Sequence, residues 1–144
     1  HATPLILLAL LATLLLAGCS EDDTIARATP QATAEAFIEA MQAGEYEKIA
    51  AARDYETWAR QQNPDWDTFS PSARDLIVDR LQEQEAQKMA ALAGMFTGEA
   101  SVSDVQEQGN TATATLSVGA NALTLRMNKI EGKWHIYQVE ERTR

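Results

Sequence analysis

Two pairs of residues in this chain have the chemistry of an acid–base site. Asp54 directly precedes Tyr55, and His135 lies two residues before Tyr137. A carboxylate or an imidazole can remove a proton from a substrate, while a tyrosine hydroxyl stabilises the oxyanion that develops. Either pair would have to face an enclosed pocket. The elements that carry the two pairs therefore decide whether they are catalytic.

Alternation of apolar and polar residues predicts four short strands in the last third of the chain. They cover Ala100–Val105, Thr111–Val118, Leu123–Met127 and Lys133–Glu140, with Glu131-Gly132 as the turn before the last strand. Strict alternation in consecutive strands predicts an antiparallel sheet with one buried face. The predicted inward positions are Ala112, Ala114, Leu116, Val118, Leu123, Leu125, Met127, Trp134 and Ile136, and none of these side chains ionises.

The last strand carries one of the two acid–base pairs on its outward side. His135, Tyr137 and Val139 alternate with the inward residues and are therefore predicted to face solvent. A β-bulge would reverse this assignment by shifting the register. Without a bulge, the interior offers no proton acceptor, which favours binding over catalysis.

Periodicity of about 3.6 residues predicts three helices before the strands. The first begins after Thr29 as N-cap and ends at Gly44, the second covers residues 45–62, and the third begins after Ser70 and ends near Ala93. Helices followed by antiparallel strands predict an α+β domain of two layers.

Four aromatic residues are the candidates for lining a ligand pocket. Tyr55 and Trp58 lie on the second predicted helix, Phe69 lies in the loop that follows it, and Trp134 lies on the last strand. The alternative interpretation is that these side chains pack on the core or on the helix surface.

The single cysteine of the chain has a distinctive position. Cys19 follows an uncharged run, Leu5–Gly18, whose roughly 14 residues are fewer than the ~20 that a membrane-spanning helix needs. Leu16-Ala17-Gly18-Cys19 matches a lipobox, so we expect residues 1–18 to be a signal peptide that is cleaved before a lipidated Cys19. An uncleaved signal anchor is the alternative. Because the chain starts at His1, we also expect further residues to precede it.

Lipidation of Cys19 would attach the protein to a bacterial cell envelope. Residues 19–29 are then predicted to be a flexible tether and residues 30–144 to be the folded domain. Ser20 after the lipidated cysteine resembles the signal for sorting to the outer membrane, with the domain facing the periplasm.

Charge and composition exclude several classes of partner. The net charge of −9 disfavours binding to nucleic acid or to anionic lipid surfaces. With two histidines and one cysteine that is predicted to carry lipid, a zinc or copper site is not expected. Glu83 and Glu85 are predicted to belong to a solvated acidic run. We expect neither a metal ion nor a cofactor.

The two ends of the domain resemble a known group of proteins. Thr29-Pro30-Gln31, followed by Ala36-Phe37-Ile38-Glu39-Ala40-Met41 and Gly44-Glu45-Tyr46-Glu47-Lys48, resembles the opening of small bacterial lipoproteins that form a domain-of-unknown-function family. Glu131-Gly132-Lys133-Trp134-His135-Ile136 resembles their closing hairpin. This family belongs to the nuclear-transport-factor-2-like, cystatin-like superfamily. The resemblance implies three helices packed into a curved, cone-shaped four-stranded sheet.

Together these observations predict a lipid-anchored periplasmic module that binds a small apolar ligand or a protein and does not catalyse a reaction. The alternative is a small acid–base enzyme of the isomerase or dehydratase type. A pocket of about 300 Å³ or more lined by ionisable groups would favour a ligand binder or an enzyme, whereas a filled apolar interior would favour an interaction role. The outward sheet face is a candidate docking surface for a partner or a second copy, and it carries Thr111, Thr113, Thr115, Ser117, Thr124, Arg126 and Tyr137.

Overall fold

The computed structural model of the chain describes residues 23–142. The helices are α1 Pro30–Ala43, α2 Tyr46–Ala51, α3 Tyr55–Gln62 and α4 Pro71–Leu92, and the strands are β1 Ala100–Gln108, β2 Thr111–Val118, β3 Asn121–Ile130 and β4 Lys133–Arg142. Short 3₁₀ turns cover Trp66–Thr68 and Ala93–Thr97. The helices pack against one antiparallel sheet of strand order β1-β2-β3-β4, which confirms the predicted α+β class. The predicted signal peptide and Cys19 lie outside the described residues.

Local capping signals set the ends of α1 and α4. The Thr29 side chain accepts a hydrogen bond from Ala32 N at 3.1 Å, and the Ser70 side chain accepts one from Ala73 N at 3.2 Å. Each cap is followed by a proline, whose missing N–H costs nothing at the first helical position. Gly44 ends α1 in the left-handed conformation with φ of 73°. These helix ends confirm the prediction from sequence.

The prediction of one continuous second helix is wrong. The chain leaves the helical conformation at Ala52–Asp54, which separates α2 from α3. Ile136 N donates to Ala52 O at 2.9 Å, and Asp54 N donates to Ile136 O at 2.8 Å. These bonds to the edge of β4 replace helical bonds, and Asp54 then caps α3 by accepting from Thr57 N at 3.2 Å.

The inner face of the sheet and α1 form the main core. All nine predicted inward residues of the strands are buried. From α1, Phe37 packs edge-on against Phe96 with ring centroids 6.0 Å apart. The main core also includes Ile25, Ala34, Ile38, Met41, Ile49, Met89 and Leu92. The space between α1 and the sheet is therefore filled by apolar side chains.

A β-bulge in the last strand corrects one predicted orientation. Met127 pairs with Ile136, but its neighbour Arg126 pairs with Gln138, so Tyr137 is the extra residue. Beyond the bulge the alternation is reversed. Val139, which was predicted to face solvent, is instead only 2% exposed in the main core. The predicted inward positions of Trp134 and Ile136, before the bulge, are unaffected.

The segment before α1 packs on the domain. Ile25 and Ala26 are buried in the main core, and Ile25 N donates to Lys48 O at 3.2 Å. Arg27 O accepts a hydrogen bond from Trp134 N at 2.8 Å, which covers the free edge of β4. The predicted tether covers residues 19–29. Its part from Ile25 to Arg27 thus belongs to the folded domain.

Candidate functional site

Arg53 is the central residue of the site, and its position follows from the break between α2 and α3. The backbone of Arg53 forms an isolated parallel bridge with Ile136 at the edge of β4. Its guanidinium Nη1 donates to Ile136 O at 3.0 Å. The side chain is 1% exposed. A cation is therefore held beside the sheet, out of contact with water.

Two aromatic rings of α3 lie beside this guanidinium. Tyr55 and Trp58 are three residues apart and so project from the same side of the helix. Their ring centroids lie 5.5 Å and 5.2 Å from Arg53 Cζ, which is within the range of cation–π attraction. Both rings are themselves only half-buried. They form the cover between Arg53 and solvent.

Glu85 of α4 provides the counter-charge. Its Oε2 accepts a hydrogen bond from Arg53 Nη2, and the Glu85 side chain is 4% exposed. The prediction that Glu85 belongs to a solvated run is wrong, because it shares the buried face of α4 with Leu81, Met89 and Leu92. Arg53 Nε and Glu85 Oε1 are buried without a hydrogen-bond partner among the described residues. The ion pair is thus neutral in charge but incompletely bonded.

A second apolar cluster, separate from the main core, lies beyond this ion pair. We call it the helical cluster. It comprises the buried residues Ala59, Trp66 and Leu81 and the partly buried residues Tyr55, Trp58, Phe69, Ile77 and Val78. Trp66 and Phe69 pack edge-on with centroids 6.2 Å apart. Arg74 of α4 lies 5.5 Å from the Trp66 ring and donates from Nε to Trp66 O at 3.1 Å.

The structure brings three of the four predicted pocket residues together. Tyr55, Trp58 and Phe69 all belong to the helical cluster, whereas Trp134 lies in the main core. Apolar contact area from several half-buried side chains, next to a buried cation, is an arrangement suited to an amphipathic ligand.

Comparison of the sequence with family models and with curated proteins finds no match. Among solved structures, the chain is similar to a phospholipid-binding protein from Ralstonia solanacearum, which was solved in complex with a phospholipid. The TM-score is 0.50 at 15% sequence identity, and the match covers 72% of this chain and 63% of the other. The chain therefore spans less than two thirds of that protein, and the likeness concerns the fold.

The acid–base pairs are placed apart from the filled interior. Asp54 caps α3 and accepts hydrogen bonds from Thr57 Oγ1 at 2.6 Å and from Asn128 Nδ2 at 3.2 Å. Burial raises the pKa of its neighbour Tyr55; the Glu85 carboxylate adds to the rise and Arg53 opposes it. The Tyr55 hydroxyl therefore keeps its proton at neutral pH. Asp54 and Tyr55 thus serve different structural networks.

His135 lies on the outer face of β4, opposite Asn128 of β3. Burial lowers the pKa of His135, and the carboxylates of Asp54 and Glu131 partly oppose this. The imidazole is neutral at pH 7 as a result. Its Nδ1 is buried and has no hydrogen-bond partner among the described residues.

Arg53, Glu85 and Asn128 were not recognised from the sequence. For Glu85 the signal was present, because Leu81, Glu85, Met89 and Leu92 recur at helical spacing and place a carboxylate on an apolar stripe. For Arg53 the signal was Asp54, a preferred N-cap residue inside the predicted helix. No local signal marks Asn128.

Open surface grooves on the described part of the chain are lined by both polar and apolar atoms. One of about 440 Å³ lies between α3 and the ends of β2 and β3 and includes Asp54, Thr57 and Asn128. Another, of about 400 Å³, lies on the sheet beside Arg126 and Tyr137. Neither contains any of the four predicted pocket residues.

Residues 23–142 contain neither a metal-binding cluster nor a membrane-spanning helix. No three His, Cys, Asp or Glu side chains in this range converge to hold a metal ion. Across the same residues, none of the helices combines the length and the apolar character required to cross a bilayer.

Proposed function

We propose that this chain is a lipid-anchored binding domain of the bacterial cell envelope that binds an apolar, lipid-like molecule at the helical cluster. The observation that carries the proposal is the position of Tyr55, Trp58 and Phe69, which lie half-buried in an apolar cluster separate from the main core. Such rings provide contact area for an apolar ligand. The similar fold of a phospholipid-binding protein supports this class of ligand.

The ligand is proposed to enter between α3 and α4 and not beneath the sheet. The interior next to the sheet is filled by side chains such as Phe37, Leu125 and Trp134, which are at most 1% exposed. In the helical cluster the outer members remain partly exposed. Separating α3 from α4 to admit a ligand therefore costs less free energy than opening the main core. The inward side chains of the strands also include no ionisable group, which supports a binding function over the acid–base enzyme.

Intrinsic fluorescence tests this site directly. A fatty acid brominated on its chain quenches a tryptophan that it contacts, and the chain carries three tryptophans, Trp58, Trp66 and Trp134. We expect saturable quenching that is reduced in Trp58→Phe, mostly lost in Trp58→Phe/Trp66→Phe, and retained in Trp134→Phe, the matched control in the main core. Absence of quenching, or quenching that depends on Trp134 alone, would exclude the helical cluster as the site.

The remaining features of the proposal concern family and anchoring. We propose that the chain is a lipoprotein of the nuclear-transport-factor-2-like superfamily, with a sheet curved into a cone around the helices. The motifs at residues 29–48 and 131–136 and the packing of helices on a four-stranded antiparallel sheet support this assignment. Residues 1–18 are the proposed signal peptide, and Ser20 supports sorting to the outer membrane.

Substitution of the lipidated residue tests the anchor. Cys19→Ser should prevent lipidation, so that the protein appears in the soluble fraction or keeps residues 1–18. Mass spectrometry of the membrane-bound protein should show acyl chains on Cys19 as the new N-terminal residue. Unchanged membrane attachment and unchanged mass in the variant would refute the anchor.

A second candidate function is docking of a protein, including a second copy, on the outer face of the sheet. The filled interior favours it, as does the half-exposed, hydroxyl-rich surface around Thr113 and Thr115. On this face Arg126 is paired with Glu140 at 3.2 Å, so these two charges offset each other. Sedimentation of the protein and of Thr115→Arg tests self-association, since a dimer formed through this face would dissociate in the variant.

A further inference from the structure

We infer that the ligand of the helical cluster is an anionic amphiphile whose head group binds the guanidinium of Arg53 in exchange for Glu85. The inference rests on the proposed function, because it names the chemical class of the molecule that binds there. It starts from the buried ion pair that lies between the helical cluster and the main core.

The bonding of Arg53 leaves one guanidinium nitrogen without an acceptor among the described residues. Arginine presents five N–H groups in a planar fork. One is donated to Ile136 O and one to Glu85, whereas Nε is buried without a partner among the described residues. Glu85 likewise uses one oxygen and leaves Oε1 unpaired. A carboxylate or phosphate that approaches the Nε side can accept two parallel hydrogen bonds, the geometry that guanidinium favours.

Access to Arg53 requires movement of side chains that already reach solvent. Tyr55 and Trp58 cover the guanidinium at 5.5 Å and 5.2 Å, and both are partly exposed. The same two rings are members of the helical cluster. A molecule whose tail contacts these rings can therefore place its head group next to Arg53.

Charge complementarity selects an anionic head group. Arg53 is the cation at the inner end of the cluster, and burial strengthens its attraction for a negative group compared with an exposed arginine. Glu85 competes for the same nitrogen atoms, so its displacement is the main cost of binding. A fatty acid carboxylate and a phospholipid phosphate share the chemistry that Arg53 recognises.

The experiment compares ligands that have one tail and different head groups. Oleate is matched with oleyl alcohol, and oleoyl lysophosphatidate with monoolein, each below the concentration at which it aggregates and with the full chain purified as Cys19→Ser. We expect the anionic member of each pair to bind about tenfold more tightly or better, as a charge-assisted bond implies. Tighter binding of lysophosphatidate than of oleate identifies a phospholipid as the source, and the reverse order identifies a fatty acid.

Two variants separate the roles of the ion pair. Glu85→Gln removes the competing charge and should tighten binding of the anionic ligands by about tenfold. The double variant Arg53→Met/Glu85→Leu replaces the pair by apolar side chains of similar size, which preserves packing. It should bind oleyl alcohol as the unmodified site does and lose the preference for oleate. If Glu85→Gln does not fold, the double variant decides.

The outcomes distinguish this inference from the function on which it rests. Equal affinity for oleate and oleyl alcohol, or a preference for oleate that persists in the double variant, overturns the role of Arg53 and leaves the apolar site in place. Failure of all four ligands to bind overturns the proposed function itself.

Discussion

Arg53 and Glu85 form a buried ion pair although 32 residues separate them in the chain. One partner lies at the edge of the sheet and the other on α4, so the pair joins the two layers of the domain. It also separates the main core from the helical cluster. The stability of the domain and the proposed recognition of a ligand therefore depend on the same two side chains.

Removing one partner of this pair should destabilise the domain far more than replacing both. Glu85→Ala leaves the Arg53 charge buried and uncompensated, which should lower the free energy of unfolding by about 3–5 kcal/mol. Arg53→Met/Glu85→Leu should cost much less, because no charge stays buried. Urea denaturation of the unmodified protein and of the two variants measures the difference. A double variant as unstable as the single one would show that the pair itself supplies the stability.

Two leucines of α4 provide a matched test of the helical cluster. Leu81 is 4% exposed and Leu76 is 67% exposed. Leu81→Ala should lower the free energy of unfolding by about 2–5 kcal/mol through loss of buried contacts and creation of a cavity. Leu76→Ala should change it by less than about 0.5 kcal/mol. Similar values for both variants in thermal or urea denaturation would mean that the cluster does not contribute to folding.

Asp54 and Asn128 should be energetically coupled. Asp54 caps α3 and also accepts from Asn128 at 3.2 Å, so it connects the helix to β3. Asp54→Ala should cost about 0.5–2 kcal/mol. In a double-mutant cycle with Asn128→Ala, the coupling energy should be about 0.5 kcal/mol or more. Asn121→Ala, at the other end of β3, serves as the control and should show additive behaviour.

The domain should lose stability in mildly acidic solution because of His135. Burial lowers the pKa of His135 in the folded state, whereas in the unfolded chain it is near 6.5. Between these values the unfolded chain binds more protons, so the free energy of unfolding falls as the pH decreases below about 7.

His135→Gln isolates this contribution, since His135 is the one histidine among residues 23–142. Denaturation at a series of pH values from 7.5 to 5 should show a smaller decrease for the variant than for the unmodified protein. Parallel pH profiles for the two proteins would contradict the assignment.

The parts of the fold that depend on local interactions were predictable. Thr29, Ser70 and Gly44 act on the backbone within four residues of themselves, and they marked the helix ends correctly. Side-chain alternation likewise identified the buried face of β2 and β3. These patterns can be recognised from neighbouring residues alone, whatever packs against the segment.

The parts that depend on distant partners were missed. Arg53 left the helix because Ile136, 83 residues away, offers hydrogen bonds at the edge of β4. Val139 turned inward because the strand contains one extra residue opposite Arg126 and Met127. In the candidate site, the structure groups Tyr55, Trp58 and Phe69 in the helical cluster, but nothing in their spacing indicated the buried cation beside α3 and α4.

The attachment of Ile25 to α2 and of Arg27 to the sheet would limit how far a lipidated domain can move from a membrane. If Cys19 carries lipid, only the six residues from Ser20 to Ile25 connect the bilayer surface to the first anchored position, and fully extended they reach about 20 Å. That distance is shorter than the diameter of a compact domain of this size, which is about 35 Å. In a lipidated protein the body of the molecule would therefore stay next to the lipid head groups, and exchange of the proposed ligand with the bilayer would require no long-range diffusion.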